Sequence, residues 1–572
     1  MTKHLISTAT ALLLALFPGA ARKAVVIPVE FSDVRFSDFA GNVSRKVERA
    51  QTYFREQTGE SFSFDVTPTV RLTRELYWYG ANSTVRHDER IDQAVREACR
   101  ILGSGFGAYD NDADGVVDNV YLIVAGQDES EGAGAGYVWP QHDRLKDRGG
   151  VLMLDGLVID GFAVCTEFTS VGKFCHEFAH TLGLPDMYDT DGSGSGGLSK
   201  GLWGTLSLMD SGPDGGFGDT PPNFNAIELE RLGLGRPLPF RLGYNTLRPI
   251  GESREYLRID SDTENEYFLL ECRKAERWDA GIGGNGMIIY HVDKSASNSW
   301  YSDYYGYNLT AAERWSMNQI NCRPDRQCAR VIEAEPGTTE ISGIFFPQEG
   351  RTSFSSDTDP SFRYWNGNTS DYALNDIELR SDGSVSFNLI IPVSIESYQV
   401  FQDAAILRWH LDNSLTAKRC ELLWYPESGR NAANTKSGSA YIQNDGTFNF
   451  AVEQLEPSTS YVLTVSVLGE NGRKHSKTMK FTTKSRQSTS YPFIYLSTVP
   501  RNPDGSFPEG GAFPMRIYNA RNVGHVEWFF NDKYIEPSSD GYWHFHSSGT
   551  LKAKIFYEDG SHEIITKNIS VR

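Results

Sequence analysis

The stretch from Cys175 to Asp186, CHEFAHTLGLPD, constrains the fold of this chain more than any other part of the sequence. It contains the pattern His-Glu-x-x-His, and a helix with 3.6 residues per turn places His176 and His180 one above the other on the same face. Two imidazoles in this arrangement can bind one Zn²⁺, and Glu177 then lies near enough to act on a water molecule beside the metal. The pattern therefore predicts a helix that carries two metal ligands and a candidate general base.

A third protein ligand is expected from Asp186, which follows the helix. Gly183 allows the backbone to leave the helix through a left-handed turn, and Pro185 prevents the helix from continuing. The chain is thereby folded back, so that the carboxylate can reach the metal, and the fourth zinc position remains for water. Glu228 on a later helix is the alternative third ligand, but the bend at Gly183 and Pro185 favours Asp186.

A second part of the metal site is expected at Ser207-Leu208-Met209-Asp210. This segment predicts a turn in which Met209 packs beneath the metal without taking part in the chemistry. A His-Glu-x-x-His helix, a Gly bend, a ligand three residues after it and a later Met form the layout of the metzincin peptidases, whose usual third ligand is His. Because no Tyr follows the Met turn, we assign no oxyanion stabiliser from the sequence.

The segment His176–Asp189 (HEFAHTLGLPDMYD), with the later Ser-Leu-Met-Asp, resembles the M6 family of secreted metalloproteases, to which the immune inhibitor A proteases belong. The resemblance extends from about Lys23 to the Leu-Gly-Leu-Gly sequence at 232–235, and more loosely into the β-rich region that follows. It implies a secreted zinc endopeptidase with His176, His180 and Asp186 as zinc ligands. The competing interpretation is a chance His-Glu-x-x-His on an ordinary amphipathic helix.

Length, composition and charge limit the class of protein. A chain of 572 residues is too long for one core and predicts three or four domains. Its 39% hydrophobic and 12% aromatic residues are typical of folded domains. The formal net charge of −19 does not favour binding to nucleic acid or anionic membranes, and it is compatible with an exported protein that binds divalent cations.

The N-terminus predicts a secretory signal over residues 1–21. Lys3 precedes an apolar run at Thr10–Phe17, and small residues follow at Gly19-Ala20-Ala21. The run is too short to cross a bilayer, and no Cys lies at the cleavage region, so we expect a secreted or periplasmic protein without a membrane anchor. Seven cysteines do not form a disulfide framework, although Cys322 and Cys328 could form a disulfide.

An acidic loop between the predicted second helix and the strand Val120–Val124 resembles a calcium site. Oxygen ligands stand at loop positions 1, 3, 5 and 9, and Gly115 at position 6, as in the first part of a calcium-binding loop. Position 12 is Tyr121 instead of the bidentate Glu of an EF-hand. We favour a bound Ca²⁺ over a solvated acidic turn. The four predicted ligands are Asp110, Asp112, Asp114 and Asp118.

Other polar residues near the helix have two interpretations each. His142 could line the substrate cleft, but a structural role is favoured. Asp189 and Asp191 could bind a second cation, but the capping of turns is favoured. The strands expected within Val151–Phe168 could form the edge of the cleft, on which a peptide would lie as an added strand.

The predicted architecture is multidomain, with an α/β zincin (metzincin-like) catalytic domain followed by three all-β sandwich domains. The catalytic domain spans residues 22–237 and contains helices at Val43–Gln57, Asp88–Leu102 and Phe224–Leu232. The β domains span residues 238–391, 392–484 and 485–572. The second resembles a fibronectin type III domain, with Trp409 on an early strand and a tyrosine corner at Tyr461, and the third predicts an immunoglobulin-like sandwich.

The function expected from these features is the hydrolysis of peptide bonds in proteins by a secreted zinc endopeptidase, with Glu177 activating the zinc-bound water. Its partners would be protein or peptide substrates, together with protein or glycan surfaces bound by the β domains. Two alternatives are a catalytically silent adhesin or binding protein with a structural zinc site, and a zinc hydrolase that acts on non-peptide bonds.

Overall fold

A computed structural model describes residues 22–59, 62–84, 86–296, 301–302, 306–485, 491–496, 502, 506–538 and 542–572. The predicted signal sequence at 1–21 lies outside the described residues. The chain divides into two compact units. The first contains the described residues up to Ser353, with Tyr364–Asn368 and Asp376–Asn388, and the second contains Phe354–Arg363, Thr369–Asn375 and the described residues from Leu389 onward. In the part of the chain described here, no helix combines the length and the apolar character needed to cross a bilayer.

The first unit is built around a sheet with parallel central strands. The strand order is β2-β1-β5-β9-β6, with β3 also paired to β1. The neighbours among β1, β2, β5 and β9 run parallel, whereas β6 at one edge runs antiparallel to β9. A small sheet of order β4-β8-β7 accompanies it. These strands are β1 (Arg22–Glu30), β2 (Phe62–Val66), β3 (Val70–Arg71), β4 (Val116–Val117), β5 (Val120–Val124), β6 (Gln141–Arg144), β7 (Leu152–Leu154), β8 (Leu157–Ile159) and β9 (Gly161–Thr166).

Both faces of this sheet are covered, which explains why the sequence of β1 is a continuous apolar run. Successive side chains point to opposite faces of a strand. Val26 and Tyr121 therefore belong to one buried core, and Ile27 and Leu122 belong to the other.

Helices α1 and α4 pack on the first face of the sheet, and α3 packs on the second. Helix α1 ends at Gly59, whose φ of +66° is left-handed, as the Thr58-Gly59 stop signal predicts. Phe54 of α1 contacts Phe178 of α4 with ring centroids 4.9 Å apart. The helices are α1 (Arg45–Thr58), α2 (Leu76–Gly80), α3 (Ile91–Leu102), α4 (Val171–Thr181), α5 (Ala226–Leu232), α6 (Ile250–Ser253) and α7 (Ala311–Ser316). Short helical turns lie at Phe39–Ser44, Phe106–Tyr109, Glu129–Glu131, Leu145–Arg148, Gly212–Asp214, Arg277–Gly281 and Ile341–Ile344.

The β-rich segment after residue 237 does not form the separate sandwich that the sequence predicts over 238–391. Leu269 and Tyr290 lie in the same hydrophobic core as Phe178 of α4 and Met209. Every residue of β13 and β14 is buried, because both faces of these strands are covered. Hydrophobic patterning identifies buried strands without saying which core they join, so the predicted boundary at 237/238 does not separate two cores.

The strands of this segment include a five-stranded sheet of order β10-β12-β13-β14-β17. The border between the two units falls within β18 and β19. The strands are β10 (Arg236–Pro237), β11 (Gly243–Leu247), β12 (Glu255–Asp260), β13 (Glu266–Arg273), β14 (Gly286–Asp293), β15 (Tyr301–Ser302), β16 (Asn308–Leu309), β17 (Ala329–Val331), β18 (Ala373–Leu379) and β19 (Val385–Ile390).

Two antiparallel sheets, of order β20-β21-β24 and β23-β22-β25-β26, lie in the second unit between Val393 and Thr482. Trp409 and Leu463, one from each sheet, share a core. The Tyr461 hydroxyl accepts a hydrogen bond from the Glu456 N–H at 2.9 Å, where the sequence predicts a tyrosine corner. The strands are β20 (Val393–Val400), β21 (Ala405–Leu411), β22 (Arg419–Pro426), β23 (Lys436–Tyr441), β24 (Thr447–Val452), β25 (Ser460–Leu468) and β26 (Lys474–Thr482).

The C-terminal strands form a four-stranded sheet of order β31-β30-β33-β34 and two strand pairs, β27-β29 and β28-β32. Trp528 and Leu551 belong to the core that these strands share. They are β27 (Phe493–Leu496), β28 (Ala512–Phe513), β29 (Met515–Tyr518), β30 (Val523–Phe530), β31 (Lys533–Ile535), β32 (Trp543–His544), β33 (Gly549–Tyr557) and β34 (His562–Ile569). The fibronectin type III and immunoglobulin-like assignments of this unit stay predictions.

Candidate metal centre

Helix α4 carries both histidines and the glutamate of the His-Glu-x-x-His pattern. It begins at Ser170, whose hydroxyl oxygen accepts a hydrogen bond from the Lys173 N–H at 3.2 Å, a side-chain cap of the helix N-terminus. The His176 and His180 rings lie edge to face with centroids 4.8 Å apart. The four-residue spacing therefore places the two rings side by side, as the sequence predicts.

The chain reverses direction immediately after α4. The Gly183 N–H donates to the His180 carbonyl at 2.9 Å, and the Leu184 N–H donates to the Ala179 carbonyl at 3.2 Å. These are the two hydrogen bonds of a Schellman motif, and the φ of +94° at Gly183 is the left-handed conformation that this motif requires. The turn brings Asp186 back over the helix.

The carboxylate of Asp186 lies between the two imidazoles. Its Oδ1 atom is 3.2 Å from Nε2 of His176 and 3.3 Å from Nε2 of His180. The donor atoms of the three residues lie within 4.8 Å of one another. The structure thus brings together the three predicted zinc ligands.

Hydrogen bonds on the far side of each ring orient the Nε2 atoms toward Asp186. Nδ1 of His176 is 2.9 Å from the Leu208 carbonyl oxygen, and Nδ1 of His180 is 2.8 Å from the Leu184 carbonyl oxygen. Because a carbonyl only accepts, each Nδ1 carries the hydrogen and donates it. This outer arrangement is typical of histidines that bind a metal through Nε2.

A metal ion would satisfy an atom that the protein leaves unsatisfied. Asp186 is 6% exposed, and its Oδ1 has no hydrogen-bond partner among the described residues. A buried carboxylate oxygen without a partner carries a desolvation cost. Two imidazole nitrogens and one carboxylate oxygen form a typical donor set for catalytic zinc, so the residues present fit the ion.

The charges of these three groups are strongly coupled. Burial disfavours every charged form, but the attraction between the carboxylate and the rings outweighs burial. The pKa of His176 is raised to about 9, and the pKa of His180 is also raised, chiefly by Asp186 acting against burial. Against the same effect of burial, the two histidines hold the pKa of Asp186 well below its ordinary value.

Glu177 lies beside the three ligands and is half-buried. Burial raises the pKa of its carboxyl group, while His176, His180 and a hydrogen bond from the His142 N–H act in the opposite direction. The backbone of β6 therefore contacts the carboxylate that the sequence assigns as general base.

His142 and Tyr188 also line the site. The sequence favours a structural role for His142, yet its ring centroid lies 5.6 Å from that of His180, and burial lowers its pKa to about 3. Tyr188 was not identified from the sequence. Its ring is 39% exposed and stacks near His176, with a centroid distance of 6.4 Å. Its place two residues after Asp186 is the signal that could have identified it.

The predicted Met turn contacts the His176 ring through the Leu208 carbonyl and is held by Glu228. Met209 is fully buried, and its carbonyl accepts a hydrogen bond from the Met187 N–H at 2.7 Å. Glu228 accepts the Ser207 hydroxyl at 2.6 Å and the Asn225 N–H at 2.8 Å. Burial raises the pKa of Glu228 to about 7. Its carboxylate thus fixes the turn and is not part of the histidine–aspartate group.

The acidic loop brings together three of the four predicted calcium ligands. The carboxylates of Asp110, Asp112 and Asp114 lie within 4.8 Å of one another. Asp118 is not part of this group, and its Oδ2 accepts the backbone N–H of Asn111 at 2.9 Å and the side-chain amide of Asn111 at 2.5 Å. Loop spacing alone did not show that a neighbouring amide would engage this fourth carboxylate.

A further group consists of Asp189, Asp191 and Cys322. Asp189 accepts the backbone N–H groups of Asp191 and Ser199 at 3.2 and 2.9 Å, in agreement with the favoured capping role. Cys322 and Cys328 are both buried and are not joined by a disulfide in the structure.

The first unit combines a parallel sheet that has an antiparallel edge strand with a helix that carries a glutamate beside a His-His-Asp group, the donor set typical of zinc metallopeptidases. Residues 103–230 match the family model described as "Immune inhibitor A peptidase M6, catalytic domain". This part of the chain is therefore similar to the M6 peptidases, and the resemblance found in the sequence is confirmed.

Two curated relatives align with about a third of this chain. Immune inhibitor A of Bacillus thuringiensis subsp. alesti is 28% identical over 228 residues, covering 34% of this chain and 33% of that protein. The pre-pro-metalloprotease PrtV of Vibrio cholerae serotype O1 (strain M66-2) is 27% identical over 234 residues, covering 34% of this chain and 25% of that protein. The matched region thus spans a third or less of either relative.

Among solved structures, the fn3 domain of the human collagen alpha-1(XX) chain is 21% identical with a TM-score of 0.14, covering 17% of this chain and 83% of that chain. This likeness is too small to support a fold assignment.

Proposed function

We propose that this protein is a secreted zinc-dependent endopeptidase that hydrolyses peptide bonds in proteins. The observation that carries the proposal is the position of Asp186 Oδ1, 3.2 and 3.3 Å from the Nε2 atoms of His176 and His180, with Glu177 on the same helix. The match to the M6 catalytic domain supports the same reaction class.

The residues that would hold the ion are His176, His180 and Asp186. Zinc, when bound there, would supply a Lewis acid that lowers the pKa of a water molecule toward roughly 7 and polarises the scissile carbonyl. Each histidine is held by a backbone carbonyl on its Nδ1 side, so the rings need little rearrangement to bind the ion.

Glu177 is the proposed general base and, afterwards, general acid. Its carboxylate would accept a proton from the attacking water and then deliver that proton to the nitrogen of the leaving amine. Burial raises its pKa, which makes the group a better proton acceptor near neutral pH. The hydrogen bond from the His142 N–H would hold the carboxylate at the side of β6 during both transfers.

The proposed substrate is a polypeptide in extended conformation. Among the strands that the structure describes, β6 pairs with β9 alone and forms the edge of the sheet. An extended peptide can add to such an edge through main-chain hydrogen bonds, which are independent of its side chains. Because the β6 backbone also contacts Glu177, a peptide bound there would pass close to the base. We therefore propose β6 as the edge of the cleft, in place of the strands within Val151–Phe168 that the sequence offers for this role.

Further proposals concern the rest of the chain. We propose a metzincin-like catalytic fold, a Ca²⁺ ion at Asp110, Asp112 and Asp114, and export through the N-terminal signal. The close approach of three carboxylates supports the calcium proposal, because such groups repel one another unless a cation lies among them. The second unit would supply fibronectin type III-like and immunoglobulin-like domains that bind protein or glycan surfaces.

A casein digestion assay tests the main proposal. We expect purified protein to cleave casein, to lose this activity with a zinc chelator and to recover it when zinc is added back. Mass spectrometry of the products should show internal cleavage sites, as an endopeptidase requires. Zinc binding without casein cleavage would favour the binding-protein alternative, and cleavage of acetylated glycans alone would favour the non-peptide hydrolase.

A further inference from the structure

Asn318 contacts the third metal ligand at two points. The backbone N–H of Asp186 donates to Asn318 Oδ1 at 2.8 Å, and the Asn318 side-chain amide donates to Asp186 Oδ2 at 2.7 Å. The two residues are 132 positions apart. Asn318 belongs to the segment that the sequence assigns to a separate β-sandwich, so this contact was not visible from local patterns.

A carboxamide suits this position. It offers one acceptor and two donors in a single plane, so it can hold the main chain and the carboxylate of the same residue. The hydrogen bond to Oδ2 satisfies that oxygen and leaves Oδ1 directed at the two Nε2 atoms. An amide does this without adding a charge that would compete with the ion for the carboxylate.

The segment that carries Asn318 is fixed to both the sheet and the ligand loop. The Trp315 indole N–H donates to the Asp293 carbonyl at 2.7 Å and ties α7 to the end of β14. Beyond α7, the Thr190 hydroxyl donates to the Asn318 carbonyl at 2.7 Å, and the Asn321 side-chain amide donates to the Met187 carbonyl at 2.7 Å. The loop after Asp186 is therefore held at several points by residues that follow α7.

We propose that Asn318 is a positioning residue of the metal centre, which holds Asp186 so that Oδ1 faces the ion. This inference rests on the proposed function and adds that the segment from α7 to Asn321 is part of the catalytic machinery. Asn318 acts through Asp186, so its loss should weaken metal binding and alter the coordination geometry. Outer-shell partners of this kind typically change metal affinity by about 10- to 100-fold.

The backbone at Asn318 determines which variants are informative. Its φ is +56°, in the left-handed region that Gly adopts without strain. Asn318→Gly therefore removes the side chain and leaves the backbone conformation accessible. Asn265→Gly is the matched control, because Asn265 is an exposed asparagine with a φ of +64°. Asn318→Ser is a second variant, which keeps a polar side chain too short to reach both atoms of Asp186.

The experiment compares zinc dissociation constants, measured by competition with a chromophoric chelator, in the full chain and its variants. We expect Asn318→Gly and Asn318→Ser to weaken zinc binding by about 10- to 100-fold, and Asn265→Gly to leave it unchanged. The visible spectrum of the Co²⁺-substituted protein, which reports coordination geometry, should change in the two Asn318 variants only. With saturating zinc, the two Asn318 variants should show a fall in kcat that is larger, as a fold-change, than the change in KM.

The outcomes separate the two proposals. If wild-type protein binds no zinc, the proposed function fails. If wild-type protein binds zinc and both Asn318 variants match it in affinity and Co²⁺ spectrum, the positioning role is overturned while the function stands. Loss of folding in both variants, judged by circular dichroism, would also overturn the positioning role, because Asn318 would then be a determinant of folding.

Discussion

The Nδ1 atom of His176 lies 2.9 Å from the carbonyl oxygen of Leu208, the residue that precedes Met209 in the Met turn. The turn therefore acts on the proposed metal site through its backbone, by fixing the orientation of the His176 ring. Below it, Glu228 accepts the Ser207 hydroxyl and connects helix α5 to the same turn. A chain of hydrogen bonds thus runs from α5 through the turn to His176, a proposed metal ligand.

Isosteric changes at Asp186 and Glu228 should differ in their effect on zinc binding, because only the first removes a proposed ligand. Changes to outer-shell residues typically lower metal affinity by about 10- to 100-fold. Asp186→Asn should lower zinc affinity by more than this, because it removes a charged ligand. Glu228→Gln should keep one zinc per chain, although the lost acceptor opposite the Asn225 N–H should cost about 1–3 kcal/mol of unfolding free energy. Zinc titration and urea unfolding measure these effects. Loss of zinc in Glu228→Gln with retention in Asp186→Asn would support Glu228 as the third ligand.

Glu177→Gln should separate metal binding from catalysis. The amide keeps the size of the side chain but cannot accept the proton of the attacking water, so kcat for casein hydrolysis should fall by about 10²- to 10⁴-fold. Zinc content should match that of the wild type, because Glu177 is not among the three grouped ligands. Unchanged turnover in a zinc-loaded variant would contradict the assignment of Glu177 as base.

Local sequence patterns predicted the parts of the site that lie on helix α4 and in the turn that follows it. The spacing of His176 and His180 follows from helix geometry, and the left-handed conformation of Gly183 follows from its lack of a side chain. The contact between Asn318 and Asp186 joins positions 132 residues apart, and no helix or strand period encodes it.

The domain boundary was missed for a similar physical reason. The patterns of β13 and β14 show that both strands are buried, but they do not reveal the partner that covers them. A similar ambiguity affects His142: an isolated histidine within a short edge strand has the same local sequence whether its ring faces a core or a metal site. Only the packing of β6 beside α4 places that ring next to His180.

Asp88 should make the stability of the first unit pH-dependent. Its carboxylate is fully buried and accepts the Trp139 N–H at 3.0 Å and the Gln141 side-chain amide at 2.6 Å, next to the start of β6. Burial raises its pKa from 3.8 to about 8. Because the folded pKa lies above the unfolded one, this group's contribution to stability is fully present below pH 3.8 and is lost as the pH rises through about 8.

Asp88→Asn tests this dependence, since the amide oxygen can still accept a hydrogen bond and the group no longer titrates. The unfolding free energy of the wild type, relative to the variant, should fall by at most about 1.4 kcal/mol per pH unit between pH 4 and 8. Urea unfolding at several pH values measures the difference. Parallel pH profiles of the two proteins would show that Asp88 does not titrate as its burial requires.

Calcium should stabilise the acidic loop through three carboxylates and not four. If Ca²⁺ binds the folded protein only, a concentration 100 times Kd adds about 2.7 kcal/mol of stability and raises Tm. Asp112→Asn should reduce this shift, because it removes one of the three grouped carboxylates. Asp118→Asn should retain the shift, because Asp118 lies outside the group of three and its Oδ2 already accepts two hydrogen bonds from Asn111. Thermal unfolding with and without Ca²⁺ measures the effect. If Ca²⁺ does not change the Tm of the wild type, the calcium proposal is wrong.

The most direct measurement is X-ray diffraction from crystals of the zinc-loaded protein at energies above and below the zinc absorption edge. We expect one strong anomalous peak in the first unit, bound by Nε2 of His176, Nε2 of His180 and a carboxylate oxygen of Asp186 at about 2.0–2.2 Å. Anomalous density at another set of residues, or its absence between these three side chains, would contradict the account.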